Sequence, residues 1–474
     1  MTTTHRTAHE MRVYPLDPRE LTQEQIAVTF AMTARSPESF DEIKERVTEA
    51  KAADFNEKWV VGYGHASVAE HAVIHMAVEN ISRLACDELE DNRLASFTEK
   101  SSRYQVLARG SYHVPADLRG HELERTFTET CDLLFETYHA LLERTQAHLK
   151  SQHPQREGER DGAYNLRIRR ESTDSCRFVL PAATLTNVGV TMNARSLEHA
   201  ITKLLSSELA ESREIGKRLK EEGQAIAPTL VKYADRSEYL AGARQSRPGS
   251  APAAVGESRP RSGPAPGRIK ATLVQWDEMA EEALLTALLY RVAGSSYAEV
   301  RHRIEAMDQK ERKAWLDHGL ANLGPFDAPV RELEAVDFLF ELEMDYGAYR
   351  EYRRHRMQTC IPQPLTVREG YIVPPLVVEA GAEEAFQQAM QMSAAAYEQL
   401  LAVSQPAASM VATHAHIIRT LAKLNLREGY HLLKLRTAKQ AHFTIREVAL
   451  QMLAELERVH PRLIKYANLR EPAE

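Results

Sequence analysis

Apolar residues along this chain recur every three or four positions over long stretches, the spacing of helices that bury one stripe. In GHASVAEHAVIHMAVENISRLACDEL (64–89), Val68, Ala72, Val73, Met76, Ala77, Ile81 and Leu84 follow that spacing, and the pattern predicts a helix. The stretch ELEAVDFLFELEMDYGAYREYRRHR (332–356) places Leu333, Val336, Phe340 and Gly347 on one stripe and predicts a second helix. Ile445, Val448, Ala449, Met452, Leu453 and Leu456 predict a strongly amphipathic helix near the end. Strand signals are fewer, the best being RFVLPAATLTNVGVTM (177–192), which is rich in β-branched residues. The expectation is an α+β fold, helix-rich with a mixed sheet.

One stretch breaks the pattern. Residues 241–271 are rich in Pro, Gly, Ser and Ala and without aromatics, and so predict a flexible linker that cannot bury enough surface to fold. It separates 1–240 from 272–474, each of domain size. The two parts share an order of elements. A long predicted helix leads into ELEDNRLASFTEKSSRYQ and later NARSLEHAITKL in the first, and into EYRRHRMQTCIPQPLT and later NLREGYHLLKLR in the second. Asn193 and Arg195 stand in the same relation as Asn425 and Arg427, as expected of a drifted duplication.

Composition narrows the possible partners. The net charge of −7 over 474 residues argues against a general nucleic-acid or membrane-surface binder. The four cysteines (Cys86, Cys131, Cys176, Cys360) show no CxxC spacing, which predicts neither a disulfide framework nor a zinc knuckle and fits a reducing, cytoplasmic setting. No apolar run approaches the length of a membrane span.

Against this acidic background, YREYRRHRMQTC (349–360) gathers Arg350, Arg353, Arg354, His355 and Arg356. On a helix Arg350, Arg353 and Arg354 share a face, and guanidinium forks match phosphate oxygens bidentately. The competing reading is a solvated basic face paired with Glu341, Glu343 and Asp345. In DNRLASFTEKSSRY (91–104), Ser101 and Arg103 could hold a second edge of the same anion, although such a stretch is also an ordinary surface loop. His65, His71 and His75 fall within eleven residues, but without an HExxH or a carboxylate partner no metal site is expected. A helix N-terminus at Gly64–His65 facing a phosphate is the better functional idea. No GxGxxG, P-loop or GxSxG motif occurs, and Cys360 is taken as an ordinary thiol.

In these motifs the chain resembles the flavin-dependent thymidylate synthases, whose signature RHRxxSxxxxSxR follows a GHxSxxEH segment and precedes NARSL, LR and AQxEIR. The first half carries GHASVAEH (64–71), DNRLASFTEKSSR (91–103), RFVLP (177–181) and NARSLEH (193–199). The second carries RHRMQT (354–359), NLREGYHLLKLR (425–436) and AHFTIR (441–446). The resemblance implies an α+β flavoenzyme that converts dUMP to dTMP with FAD, methylenetetrahydrofolate and NADPH, using no cysteine nucleophile. Each active site of the family is built by more than one subunit of a homotetramer.

The two copies are incomplete in complementary ways. Asp91, Asn92 and Leu204 replace family residues in the first half, and Pro364, Thr366 and Ser409 do so in the second. The resemblance implies one composite nucleotide site per chain, joining Glu99, Ser101, Arg103 and Arg177 to Arg354 and Arg436. Arg436 would polarise the pyrimidine, and Arg354, Ser101 and Arg103 would hold the phosphate. The opposite pairing, with Asp91 facing a phosphate, is expected to be dead. The flavin-matching positions are His65, Ser67 and Glu70, then His355, Arg356, Asn425, Arg427 and His431, with Asn193, Arg195 and His199 as the second copy. A homodimer would then mimic the family tetramer. Glu88 and Glu351 stand where the family has glutamine, so Glu351 becomes a substrate-contacting residue that accepts where an amide could donate. That departure leaves open a related flavoenzyme acting on another pyrimidine nucleotide, and the losses leave open a non-catalytic nucleotide-binding scaffold.

Overall fold

A computed structural model describes residues 12, 14–34, 36–244, 266–324 and 326–469. The fold is α+β, with seven strands β1 (Val73–Ser82), β2 (Ala95–Glu99), β3 (Leu185–Asn193), β4 (Lys270–Trp276), β5 (Asp337–Asp345), β6 (Thr359–Pro362) and β7 (Ile417–Asn425) among many helices. The expected mixed sheet is instead two separate sheets, ordered β1-β3-β2 and β4-β5-β7-β6, and the pairing in the second is antiparallel throughout. In its centre β5 and β7 run fully paired from Asp337↔Asn425 to Asp345↔Ile417.

Two of the predicted helices are corrected. Residues 64–89 form a 3₁₀ turn (Ala66–His71), then β1, then a helix (Arg83–Glu90). Residues 332–356 likewise form a 3₁₀ turn (Arg331–Ala335), β5, and a short helix (Tyr346–Tyr352). In β5 the residues Phe338, Phe340, Leu342 and Met344 are buried, every second position, which is strand periodicity. Dense apolar sequence satisfies both periods, and pairing with β7 decides the matter. The expected strand over 177–192 also shortens, because 177–179 form a 3₁₀ turn and pairing begins at Leu185. The helix over Phe443–Val459 buries Ile445, Val448, Ala449, Met452 and Leu456 as its pattern predicts.

The described residues within 1–79, 88–99 and 187–245 form one compact unit, and those within 80–87, 100–186 and 246–474 form the other. These units cut across the two halves of the sequence. Of the linker expected at 241–271, residues 245–265 lie outside the described residues, while 241–244 close the helix Glu238–Arg244 and Lys270 opens β4. In the larger unit the long helices Glu124–Gln152 and Glu383–Leu400 pack together around Phe135, Tyr138, Phe178, Phe386 and Met390. Each such side chain, fully buried, stabilises the fold by about 1.5–3 kcal/mol. The element order recurs. In both halves a 3₁₀ turn feeds a strand that runs without a loop into a helix (β1 into Arg83–Glu90, β5 into Tyr346–Tyr352). A later strand in each runs directly into a helix that an asparagine caps: Asn193 accepts from Ser196 N at 2.8 Å and Asn425 from Glu428 N at 2.9 Å. Among the described residues no helix is long and apolar enough to cross a membrane.

Candidate active site

Among the described residues, a charged cluster in the larger unit centres on the buried Glu351. Asp345 ends β5 and caps the next helix, its Oδ1 accepting from Ala348 N at 2.8 Å. That short helix carries Glu351 into the interior, where it is 6% exposed. Arg177, in the 3₁₀ turn after the helix Asp161–Cys176, donates to Glu351 Oε1 at 3.1 Å. Arg436, the last residue of the helix Leu426–Arg436, approaches Oε2 at 3.4 Å. Arg103, in the turn after β2, stands 3.8 Å from Oε1 and is held by a two-pronged contact to Asp174, 2.9 Å on each prong. Asp174 is also 3.4 Å from Arg177.

Burial pushes the Glu351 carboxyl up, but Arg177 and the other cations around it hold it below the usual carboxylate range. It is therefore ionised at neutral pH. Burial lowers the Arg436 guanidinium, which Glu351 offsets and the nearby Arg354 and Arg103 reinforce. Burial, then Arg177, keeps His442 far below the ordinary histidine range, so its ring is neutral and stacks on Phe178 with centroids 5.4 Å apart. Arg103, Arg177 and Arg436 thus converge on Asp174 and Glu351, with Arg354 near enough to Arg436 to lower it, a density of guanidiniums suited to an anionic group such as a phosphate. Beneath them Asp345 is completely buried, and desolvation raises its carboxyl to about 7.

Of the residues expected to form the composite site, the larger unit brings together Arg103 and Arg177 from the first half with Glu351, Arg354 and Arg436 from the second. Ser101 belongs to the same turn as Arg103, its hydroxyl accepting from Arg103 N at 3.2 Å. Glu99 closes β2 and belongs to the other unit.

The arginine cluster itself is divided rather than a single helical face. The helix ends at Tyr352, so Arg354 lies in the following turn and is exposed. Arg350 and Arg353 are turned inward to Asp87, at 3.6 and 2.8 Å, where the competing reading places Glu341, Glu343 and Asp345. Glu343 instead pairs with Arg419, and Asp345 is the helix cap. Asp91, expected to repel a phosphate, is held by Lys203 at 2.8 Å in the smaller unit.

The flavin-matching residues form two similar corners. In the smaller unit Arg195 pairs with Glu70 beside the Asn193 cap, with Ser67, His65 and His199 exposed nearby in the chain. Gly64–His65 does not start an α-helix, since the six residues that follow are a 3₁₀ turn and Gly64 has φ +72°, a conformation natural to glycine. His75 lies in β1, bonded to Thr191 at 2.9 Å, so it is not one turn of helix from His71. In the larger unit Arg427 pairs with Glu334 at 2.7 Å and donates to the Pro329 carbonyl at 2.7 Å, beside the Asn425 cap. This second corner opens on a cavity of about 480 Å³ walled by Phe326, Met357, Arg427, His431, Lys434 and Leu435. Asp327, Glu334 and Glu428 line the same cavity, so its cations Arg427 and Lys434 stand among carboxylates and apolar side chains. His355 is buried away from that wall, bridging Glu428 Oε1 (3.1 Å) and Arg436 Nε (2.9 Å), while Arg356 is exposed.

Sequence reading missed three participants. Asp174 stands in an unmarked stretch, and His442 lies in the AHFTIR motif without a role assigned to it; only the fold carries them together beside Arg103 and Arg177. Glu334 was legible: it precedes β5 by three residues, as Glu70 precedes β1.

A model of the family described as "thymidylate synthase complementing protein" matches residues 19–229 and 273–462. A UPF0159 protein of Chlamydia muridarum is 30% identical over 427 residues, covering 87% of this chain and 80% of that one. A flavin-dependent thymidylate synthase of Mycobacterium sp. (strain KMS) is 34% identical over 183 residues, covering 38% of this chain and 68% of its own. Among solved structures, a UMP/dUMP methylase PolB from Streptomyces cacaoi bound with 5-Br dUMP aligns with a TM-score of 0.37 at 17% identity, covering 43% of this chain and 96% of that one.

Proposed function

Because the chain belongs to the thymidylate synthase complementing protein family, we propose that it is a flavin-dependent thymidylate synthase with one composite nucleotide site per chain. It converts dUMP to dTMP, taking the carbon from methylenetetrahydrofolate and reducing equivalents from NADPH. The observation that carries this reading is the convergence of Arg103 and Arg177, from the first half, with Arg436, from the second, on one buried carboxylate. Neither half supplies that set alone. The guanidinium cluster binds the nucleotide phosphate, with Arg103, Arg354 and the Ser101 turn as its donors. Arg436 polarises the pyrimidine, and His355, tied to Glu428, holds the Arg436 fork in place.

FAD is held at the Arg427–Glu334 corner, where Asn425, His431 and Lys434 surround the cavity, and when reduced it supplies the hydride. Glu70, Ser67, His65, Asn193, Arg195 and His199 form the second flavin-type corner, and a homodimer of the chain stands in for the tetramer of single-copy relatives. A second reading is favoured by one observation. Glu351 is ionised and can only accept hydrogen bonds, which suits a nucleotide presenting more hydroxyl donors than dUMP does.

Three measurements test these readings. Purified protein should be yellow or take up added FAD, and protein that stays colourless sinks both. Rescue of a thymidine-requiring bacterium supports the first reading. Coloured protein that fails to rescue, and binds UMP more tightly than dUMP in calorimetry, supports the second.

A further inference from the structure

A second cluster of arginines, outside the proposed site, is buried around Asp87. Arg350 and Arg83 are 6% and 2% exposed, and Asp87 is 8% exposed. Asp87 takes Arg353 at 2.8 Å, Arg350 at 3.6 Å and the Tyr346 hydroxyl, while Arg350 donates to the Arg83 carbonyl at 3.2 Å.

These contacts have an internal symmetry. The helix after β1 begins at Arg83 and the helix after β5 at Tyr346, so a shift of 263 carries one onto the other. Under that shift Asp87 corresponds to Arg350, and Arg83 to Tyr346. The Asp87–Arg350 contact maps onto itself, and the Asp87–Tyr346 contact maps onto Arg350–Arg83. That is the signature of an isologous interface, in which equivalent positions meet across a two-fold axis. At the axis, however, the two copies carry opposite charges. The same inversion occurs one turn further on, where Glu90 corresponds to Arg353.

We propose that the helix face carrying Arg350 and Arg353 is a pairing surface built to accept a non-identical copy of itself, namely the acidic counterpart presenting Asp87. Two faces of the basic kind would bring four arginines together without Asp87 between them, whereas two of the acidic kind would set Asp87 against Asp87 but also place Arg83 opposite Asp87. Like charges at the centre of a desolvated interface exclude the wrong partner more strongly than any rim contact can. A second copy of the basic face could therefore not assemble on it, and the second half depends on the first. The inference rests on the duplication within the proposed function, and it concerns a surface that the nucleotide and flavin sites do not use.

Charge reversal in the full chain tests it. Asp87→Lys should lower the thermal midpoint by several degrees more than Asp87→Asn, because it adds repulsion to the loss of a partner. Combining Asp87→Lys with Arg350→Asp and Arg353→Glu should regain at least half of that loss. Where a reversed variant does not fold, Asp87→Asn, Arg353→Gln and their combination, unfolded in urea, replace it, and the paired change should cost less than the two separate changes summed. The proposal is overturned if Asp87→Asn costs as much as Asp87→Lys, or if the combined changes are simply additive. FAD and dUMP titrations of the same variants read the proposed activity separately. Absent charge coupling with retained binding overturns the pairing alone, and absent binding in the unaltered protein overturns the function alone.

Discussion

Replacing Glu351 by Gln removes the one carboxylate that three arginines share. Its oxygens lie 3.1 Å from Arg177, 3.4 Å from Arg436 and 3.8 Å from Arg103, all at low exposure. At such distances one ion pair is worth about 4 kcal/mol at an effective dielectric constant near 20, opposed by several kcal/mol of desolvation per ion. Breaking a buried pair by removing one partner costs about 3–5 kcal/mol. Here Asp174 still holds Arg103 at 2.9 Å and Arg177 at 3.4 Å, so the lower end applies, about 3 kcal/mol. Urea unfolding at pH 7.5 without added anions should show that loss. The sign with pH follows from the depressed Glu351 carboxyl. Its contribution is present above the ordinary glutamate range, near 4.3, and is lost as the pH falls through the lower folded value. The gap between the two proteins should therefore close on acidification below about pH 4. Phosphate or dUMP should then stabilise Glu351→Gln more than the unaltered protein, because Arg103, Arg177 and Arg436 would have lost the carboxylate they share. A variant as stable as the parent at pH 7.5, or a gap that persists unchanged to pH 3, refutes the account of Glu351 as an ionised counter-charge.

Other predictions concern the same region. Asp345 is raised to about 7, so the stability it contributes is full below the ordinary aspartate range and lost as the pH rises through about 7. Asp345→Asn, which can still cap the helix, should flatten that decline and be the more stable protein at pH 8 by up to about 4 kcal/mol in urea unfolding. Arg103→Ala and Arg354→Ala should each weaken dUMP binding about 10- to 100-fold in calorimetry, the worth of a charge-assisted hydrogen bond. If both leave the affinity unchanged, the composite site is wrong. Arg427→Ala should weaken FAD binding, followed by flavin fluorescence, while leaving dUMP affinity within about twofold, since Arg427 lies on the cavity rather than among the arginines around Glu351.

Much of the candidate chemistry was legible in the linear chain, because the motifs that carry the family resemblance mark particular guanidiniums and carboxylates. The motif DNRLASFTEKSSR identified Arg103, RFVLP identified Arg177, and the LR pair identified Arg436, without any knowledge of the fold. The terminal amphipathic helix and the Asn193 and Asn425 positions were equally local, since a cap or a helical stripe depends on neighbours a few residues away. Two kinds of fact were not local. Whether 64–89 and 332–356 are helix or strand depends on an edge to pair with, and β7 supplies it to β5 from 80 residues downstream. Which acid neutralises which arginine depends on distance in space. Glu341, Glu343 and Asp345 lie nearest to Arg350 in sequence, yet β5 turns its side chains alternately to opposite faces and sends that charge elsewhere. Asp87, more than 260 residues away, takes the two arginines because the fold brings its helix against theirs, and a buried guanidinium must have its counter-charge within a few ångströms. The sequence thus named the groups, and tertiary structure chose their partners.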